Sequence, residues 1–262
     1  MESTQTLPLV TIKIGGRAAS EKEYLNALIK EMHTLRDRFR FVLVHGGGAE
    51  VSKVTEVFGL QPVFKDGVRM TSPEEMDIVD MVLAGKMNKY LVRMCSRYMP
   101  AVGLSGSDGG IFTGTRLACD ENEITCTGNV RDVRPDLLRL LLSNGYVPVV
   151  SSTSMDEAGE ALNINADEAA LALAVALPST HLLFLSDVAG ILKQETVIPL
   201  LNGEDTEREI AAGVIAGGMI PKVRSSVKAL EAGVKDIIIG RYTAGGDLKA
   251  LLAGNSGSRI VL

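Results

Sequence analysis

Six short runs of apolar residues recur along the chain, and each is continuous rather than alternating with polar positions. They read VTIKI, FVLVH, AVGLS, VPVVS, LLFLS and DIIIG. Such runs are typical of strands buried on both faces of a parallel sheet. Between most of them apolar residues repeat at helical spacing, as from Leu25 to Leu35. The alternation predicts an α/β fold, a three-layer αβα sandwich around a central, mainly parallel sheet.

Two segments break this alternation and predict β-hairpins. Lys65-Asp66-Gly67 lies between two strand-like stretches, residues 62–64 and 68–71. Asp-Gly in that setting is a turn signal, so we expect a small flap there. In residues 111–133, IFTGTRL and ITCTGNV flank the polar link CDENE and predict a second hairpin.

Ser72-Pro73-Glu74-Glu75 predicts a helix start, with a capping box and proline at the first helical position. We expect this helix to run to about Arg97. It is apolar on several sides, at Met76, Ile78, Val79, Met81, Val82 and Leu83. Two interpretations stay open: the helix faces a second subunit, or it is a central helix buried on both sides within one chain.

Three of the predicted strands run directly into glycine turns, at residues 15–16, 46–48 and 103–110. The carboxyl ends of parallel strands gather at one sheet edge, where ligands bind. Lys13 and Arg17 flank the first turn, and glycine lets an anion approach the backbone. Each turn alone is also consistent with a simple tight bend, but together they predict an anion site. His45 is predicted to pack beneath the second turn rather than act as an acid or base.

The composition limits the classes of partner. The 262 residues carry a net charge of −5 with 4% aromatic residues and no tryptophan, which argues against nucleic acid. The N-terminus MESTQTLPLV lacks a basic, apolar leader, and no run is long enough for a membrane span, so we expect a cytoplasmic protein without a membrane partner. Cys95, Cys119 and Cys126 fit neither disulfide nor zinc spacing, and no metal site is predicted. Neither a Walker-type phosphate loop nor a dinucleotide fingerprint occurs.

Eight motifs in order carry a family resemblance. They are KIGG at 13–16, VHGGG at 44–48, GVRMT at 67–71, LAGKMNK at 83–89, GLSGSDGG at 103–110, LNINADEAA at 162–170, LSDVAGIL at 185–192 and GGMIPKV at 217–223. With them the chain resembles the amino acid kinase family over nearly its full length. It is most similar to the members that phosphorylate the γ-carboxylate of N-acetyl-L-glutamate with ATP in arginine biosynthesis. The resemblance implies one carbamate kinase-like domain over residues 1–262, with a substrate-binding and dimerising N-lobe of about 1–175 and a nucleotide-binding C-lobe of about 176–262.

The resemblance also implies roles for individual residues. Lys13 and Lys222 would stabilise the phosphoryl group in transit, and Asp167 would hold both lysines. The expected substrate ligands are Gly47, Gly48, Arg69 and Asn163. The expected nucleotide contacts are Gly15, Gly16, Asp187, Val188, Ala189, Gly190, Ile191, Leu192, Val214, Ile215 and Ala216. Mg²⁺ would arrive on the phosphates of ATP with few protein ligands.

The residue types suit this chemistry. A carboxylate nucleophile is already ionised at neutral pH, so no general base is needed. Lysines, backbone amides and Mg²⁺ can offset the repulsion between two anionic reactants. Arg69 is expected to clamp the substrate's α-carboxylate by a two-pronged contact. Asn163 is the better ligand candidate, whereas Asn165 is predicted to cap a helix.

Two alternatives stay open. One is a family member that acts on aminoadipate or glutamate linked to a carrier protein, although we see no added basic stretch for an acidic carrier. The other is a non-catalytic member that binds an amino acid or nucleotide and regulates a partner, although both lysines and the aspartate are present. Two departures from the family pattern matter. Ser107 stands where lysine is frequent, and only about seven residues precede the first strand, which favours a homodimer insensitive to arginine.

Overall fold

The computed structural model describes residues 7–15, 21–65, 67–118 and 124–262. Gly16, Arg17, Asp66 and the link at 119–123, which includes Cys119, lie outside the described residues. The strands are β1 (Leu9–Ile14), β2 (Arg40–His45), β3 (Phe64–Lys65), β4 (Val68–Arg69), β5 (Ala101–Leu104), β6 (Phe112–Arg116), β7 (Thr127–Val133), β8 (Val147–Ser151), β9 (Thr153–Met155), β10 (Ala161–Ile164), β11 (His181–Ser186), β12 (Leu192–Lys193), β13 (Thr196–Val197), β14 (Leu200–Leu201), β15 (Asp236–Arg241) and β16 (Ser258–Ile260). The α-helices are α1 (Lys22–Leu35), α2 (Gly48–Val57), α3 (Pro73–Asp80), α4 (Asn88–Cys95), α5 (Asp136–Ser143), α6 (Ala166–Ala176), α7 (Gly203–Ala211), α8 (Met219–Glu231) and α9 (Asp247–Leu252).

The central sheet has eight strands in the order β14-β16-β15-β11-β1-β2-β8-β5. The six strands predicted from apolar runs are its six contiguous, mutually parallel members, from β15 to β5. β16 runs antiparallel to β15 at the edge. β1 is central, with β2 on one side and β11 on the other, so its carboxyl end is the switch point where open α/β sheets bind ligands.

Apolar clusters cover both faces of this sheet, which confirms the three-layer prediction. Successive residues of one strand belong to opposite faces: Leu182 and Phe184 join the cluster that packs under α6 and α8, while Leu183 and Leu185 join the one under α1 and α9. This is the period of two that a strand imposes on its side chains. The continuous hydrophobicity of the predicted strands follows from burial on both faces.

Both predicted hairpins are present. β3 and β4 pair antiparallel, with Phe64 opposite Arg69, and Gly67 adopts a positive φ of 80° in the turn. β6 and β7 also pair antiparallel. The apolar runs did not predict β9 and β10, which close a small barrel with β6 and β7. This barrel places β10 beside the flap.

The helix predicted from Ser72 to Arg97 begins with proline at its first position as expected, but the predicted capping box does not form because the Glu75 carboxylate bonds Arg69, and the segment is not one α-helix. Ser72 caps α3 by accepting a hydrogen bond from the Glu75 amide at 3.2 Å. A π-helical segment, Met81–Met87, then separates α3 from α4. Met81 is 53% exposed, whereas Met76, Ile78, Val79, Val82 and Leu83 are all buried within the single chain. Packing inside one chain therefore accounts for most of the apolar surface that could have indicated a second subunit.

None of the helices in the described ranges combines the length and the hydrophobicity needed to span a bilayer.

Candidate active site

Two lysines from distant parts of the chain meet on one carboxylate. The Lys13 Nζ lies 2.8 Å from Asp167 Oδ1, and the Lys222 Nζ lies 3.0 Å from Asp167 Oδ2. The lysine side chains are each 17% exposed and that of Asp167 is 22% exposed. The structure thus brings together the three predicted catalytic residues at the switch point of the sheet.

The local structure explains how each group is held. Lys13 lies in β1 with Val44 and Phe184 as its neighbours on the flanking strands. Lys222 is in the first turn of α8, and its ammonium lies 5.3 Å from the centroid of the Phe184 ring, within cation–π range. Asp167 is in the first turn of α6, where Asn165 accepts a hydrogen bond from the Asp167 amide at 2.8 Å. The capping role predicted for Asn165 is confirmed.

Opposing effects set the pKa of Asp167. Burial acts to raise the pKa of this carboxyl, but the charges and hydrogen bonds of Lys13 and Lys222 outweigh it, so the pKa lies below its ordinary value. Asp167 is therefore ionised at neutral pH. An ionised carboxylate with two ammonium partners can orient them, and it is a poor proton acceptor.

A cavity of about 230 Å³ opens beside Lys13. Its lining includes all four predicted substrate ligands, Gly47, Gly48, Arg69 and Asn163. The volume is below the roughly 300 Å³ at which pockets for drug-sized ligands begin, so it suits a small amino acid derivative. Leu83 and Met87 of the π-helical segment pack closely against the glycine turn at residues 46–48. A Cβ added to Gly47 would lie only 2.9 Å from Leu83 Cδ2.

The Arg69 guanidinium is already bonded on both sides. Its Nη1 donates to Glu75 Oε1 at 2.5 Å, and its Nη2 donates to the Gly48 carbonyl at 3.0 Å and to Ser52 Oγ at 2.5 Å. The Phe64 ring lies 4.8 Å from its Cζ, and Arg69 is only 8% exposed. Arg69 does line the predicted pocket, but the expected two-pronged clamp is not ready, because both forks of a guanidinium use an N–H of Nη2.

Asn163 and two threonines connect the flap to the barrel. Asn163 Nδ2 donates to Thr71 Oγ1 at 2.9 Å. Thr127 Oγ1 donates to the Arg69 carbonyl at 2.6 Å and accepts from the Thr71 amide at 2.9 Å. Thr127 also lines the cavity, and sequence reasoning missed it. The available signal was its place in the second hairpin, which gave no reason to expect it near the flap.

His45 is buried beneath the glycine turn, as predicted. Its Nδ1 donates to the Gly46 carbonyl at 3.0 Å, and its Nε2 accepts from Asn88 Nδ2 at 3.1 Å. Burial lowers the pKa of His45 to about 4, so the ring is neutral at physiological pH. Its contacts are those of a structural residue.

A second cavity of about 860 Å³ lies on the other side of the glycine turn and shares Lys13 with the first. Gly15 and Asp187 of the predicted nucleotide contacts line it. The other predicted contacts, residues 188–192 and 214–216, lie after β11 and before α8. Ile191 and Ile215 are only 3% and 1% exposed, so neither presents more than a small surface to a ligand in this structure.

The third glycine turn does not join the site. It follows β5, the edge strand, which β8 separates from β2. Asp108 accepts hydrogen bonds there from the Ser105 amide and hydroxyl at 2.6 and 2.9 Å, which closes a tight turn. The third turn follows a parallel strand and therefore lies at the same edge of the sheet as the other two, as expected, but it lines neither of the two cavities beside Lys13.

The described part of the chain does not meet the requirements of a metal site or a reactive thiol. No group of three or more His, Cys, Asp or Glu side chains there is arranged to hold a metal ion. Cys95 and Cys126 are buried free thiols, and burial raises the pKa of both.

Comparison with known proteins places this geometry in a family. The model of the amino acid kinase family matches residues 8–241. The acetylglutamate kinase of Nostoc punctiforme is 40% identical over 240 residues, covering 88% of this chain and 80% of the relative. The acetylglutamate kinase of Geobacillus kaustophilus is 40% identical over 232 residues, covering 88% of each. The structure of Giardia carbamate kinase matches with a TM-score of 0.72 at 16% identity, over 98% of this chain and 99% of that one, which shows the fold alone.

Proposed function

Since the chain belongs to the amino acid kinase family, we propose that it is an acetylglutamate kinase of arginine biosynthesis. It transfers the γ-phosphoryl group of ATP to the γ-carboxylate of N-acetyl-L-glutamate and forms N-acetyl-L-glutamyl 5-phosphate and ADP. The observation that carries the proposal is the pairing of Lys13 and Lys222 on Asp167, with Lys13 lining a small cavity. The names of the relatives supply the substrate.

The proposed reaction needs charge stabilisation rather than proton transfer. A carboxylate oxygen forms a bond to the γ-phosphorus while the bond to the β,γ-bridging oxygen breaks and ADP leaves with the electron pair. Lys13 approaches the transferring group from the side of the small cavity, and Lys222 approaches it from the C-lobe. Asp167 keeps the two ammonium groups oriented before the phosphates arrive. Mg²⁺ carried by ATP adds positive charge at the phosphates.

Within this proposal, the turn at Gly47 and Gly48, Arg69 and Asn163 hold the amino acid. Residues 187–192 and 214–216, with Gly15 and Gly16, hold the nucleotide. The lobes of about 1–175 and 176–262 divide these tasks. The homodimer rests on the family resemblance, and the cytoplasmic location rests on the biosynthetic role.

An assay of the purified protein tests the proposal. ATP, Mg²⁺, N-acetyl-L-glutamate and hydroxylamine are combined, and the acyl phosphate is trapped as a hydroxamate. N-acetyl-L-glutamine is the matched control, because its γ-amide offers no carboxylate. We expect product only with the acid, and a loss of about 10²-fold or more in kcat for Lys222→Ala. A wild-type protein that consumes no ATP with free N-acetyl-L-glutamate would refute the proposal and point to a carrier-linked substrate or a non-catalytic role.

A further inference from the structure

Glu75 occupies an unexpected position. In a capping box its carboxylate would return to the backbone of Ser72. Instead it lies against the guanidinium of Arg69 at 2.5 Å and accepts from Thr55 Oγ1 at 3.3 Å. Glu75 is 4% exposed, so the pair is shielded from solvent. A side chain that the local sequence assigns to a helix end is thus directed to a predicted substrate ligand.

The hydrogen-bond donors of Arg69 limit how a substrate can bind. A guanidinium has five N–H groups and two forks, one formed by Nη1 and Nη2 and the other by Nε and Nη2. Both N–H groups of Nη2 are used, by the Gly48 carbonyl and by Ser52. A carboxylate that binds Arg69 with two prongs must therefore displace one of these partners.

Charge decides which partner is displaced. All three hydrogen bonds of Arg69 have an ionised donor, but only the one to Glu75 also joins opposite charges, so it gains a Coulomb attraction that the Gly48 carbonyl and the Ser52 hydroxyl lack. An incoming carboxylate therefore displaces the Gly48 carbonyl or Ser52, and Glu75 stays on Nη1. Two carboxylates then share one guanidinium in a partly buried site, where like charges repel each other more than in water.

We propose that Glu75 is a positioning residue that keeps Arg69 paired in the empty protein and, by its charge, weakens the binding of the substrate's α-carboxylate. This inference rests on the proposed function, in which Arg69 receives that carboxylate. Glu75 therefore raises the KM for the amino acid while it stabilises the fold. These two effects have opposite signs, and a residue with only a structural role would not produce both.

The first test is Glu75→Gln, which keeps the shape and one acceptor but removes the charge. We expect the KM for N-acetyl-L-glutamate to fall about tenfold, the size of one partly screened like-charge interaction. The kcat stays within about twofold, and the midpoint of thermal unfolding without ligand falls by about 3 °C or more. Glu74→Gln is the matched control. It makes the same change on the same helix, and Glu74 hydrogen-bonds Ser72 and not Arg69; its KM stays within about twofold of wild type.

Two comparisons separate the effect of the Glu75 charge from the effect of holding Arg69 in place. Ser52→Ala removes a neutral partner of Arg69 and leaves Glu75 in place. We therefore expect its KM to differ from that of wild type by less than about threefold, and to depend on salt concentration as the wild-type KM does. 4-Acetamidobutyrate keeps the acetamide and the reacting carboxylate but lacks the α-carboxylate. The gain in affinity of Glu75→Gln, measured by calorimetry, disappears with this analogue.

A KM that is unchanged or raised in Glu75→Gln overturns the inference, provided that wild type turns over free N-acetyl-L-glutamate. A wild type with no turnover refutes the proposed function instead, so the two failures are distinguishable. If the variant does not fold, a crystal structure of wild type with N-acetyl-L-glutamate decides. We expect the α-carboxylate on Nη2 with Glu75 still on Nη1. A carboxylate bound elsewhere, with all three Arg69 contacts intact, overturns the inference.

Discussion

Asp167→Asn isolates the charge that holds the two lysines together. The amide keeps the shape but leaves two ammonium groups without their shared counter-ion. Two like charges about 5 Å apart repel by about 3 kcal/mol at an effective dielectric constant of about 20. Because Asp167 is 22% exposed, water screens part of this repulsion. We expect the empty protein to lose about 2 kcal/mol of unfolding free energy and the enzyme to lose about 10²-fold or more in kcat, since the lysines no longer point at the transferring group.

Denaturant unfolding and the hydroxamate assay measure both effects. Asp136→Asn is the matched control, because Asp136 also lies in the first turn of a helix but is largely exposed. The lysines lower the pKa of Asp167 in the folded state. The stability difference between wild type and Asp167→Asn is therefore full above about pH 4 and closes as the pH falls through the folded-state pKa. A kcat within tenfold of wild type, or a stability gap that widens as the pH falls below about 4, would refute the reasoning.

Two further predictions concern the glycine turn. His45 has a pKa of about 4 when folded, against 6.5 in the unfolded chain, so stability is full above pH 6.5 and falls as the pH drops toward 4. We expect the titration of His45 to lower the unfolding free energy by about 2 kcal/mol between pH 7 and pH 5. Denaturant unfolding of His45→Gln should show a pH-dependent loss that is smaller by this amount. Gly47→Ala places a Cβ 2.9 Å from Leu83, whereas a Cβ on Gly48 meets nothing within 4 Å. Thermal unfolding should show a lower midpoint for Gly47→Ala than for Gly48→Ala, and equal midpoints would contradict the contact.

Strands with a long apolar run were predictable from the sequence, and short ones were not. β1, β2 and β11 each have six residues, and most of these residues are buried. Burial on both faces of the sheet requires apolar residues at consecutive positions, and this continuous run is visible in the sequence. β14 has two residues and β16 has three. Such short strands depend on pairing with a neighbour that is already in place, and pairing leaves no local signal. The π-helical segment was missed for a similar reason, because seven residues are too few for a change of helical period to show in the sequence.

The candidate site divides in the same way. Motif resemblance identified Lys13, Asp167 and Lys222, but their meeting at 2.8 and 3.0 Å depends on the order of the strands. The same order excludes the third glycine turn, since β8 enters the sheet between β2 and β5. Glu75 shows the limit of local rules. Its spacing from Ser72 predicts a capping box, but the buried charge of Arg69 attracts its carboxylate more strongly than a backbone amide does.

Gly15 tests whether the paired lysines require the first glycine turn. Lys13 lies in β1 at the switch point of the sheet and lines both cavities. The Lys13 ammonium therefore needs free space next to the glycine turn that begins at Gly15. A Cβ on Gly15 would lie 2.6 Å from the Lys13 Nζ, closer than any real contact. In Gly15→Ala the flexible lysine end moves and leaves Asp167. We expect kcat to fall at least tenfold while the unfolding midpoint changes little, because a side-chain rotation relieves the clash. Gly203→Ala, whose Cβ meets Val227 at an ordinary 3.5 Å, is the control. A Gly15→Ala enzyme with the kcat of wild type would show that Lys13 does not need to be held where it is.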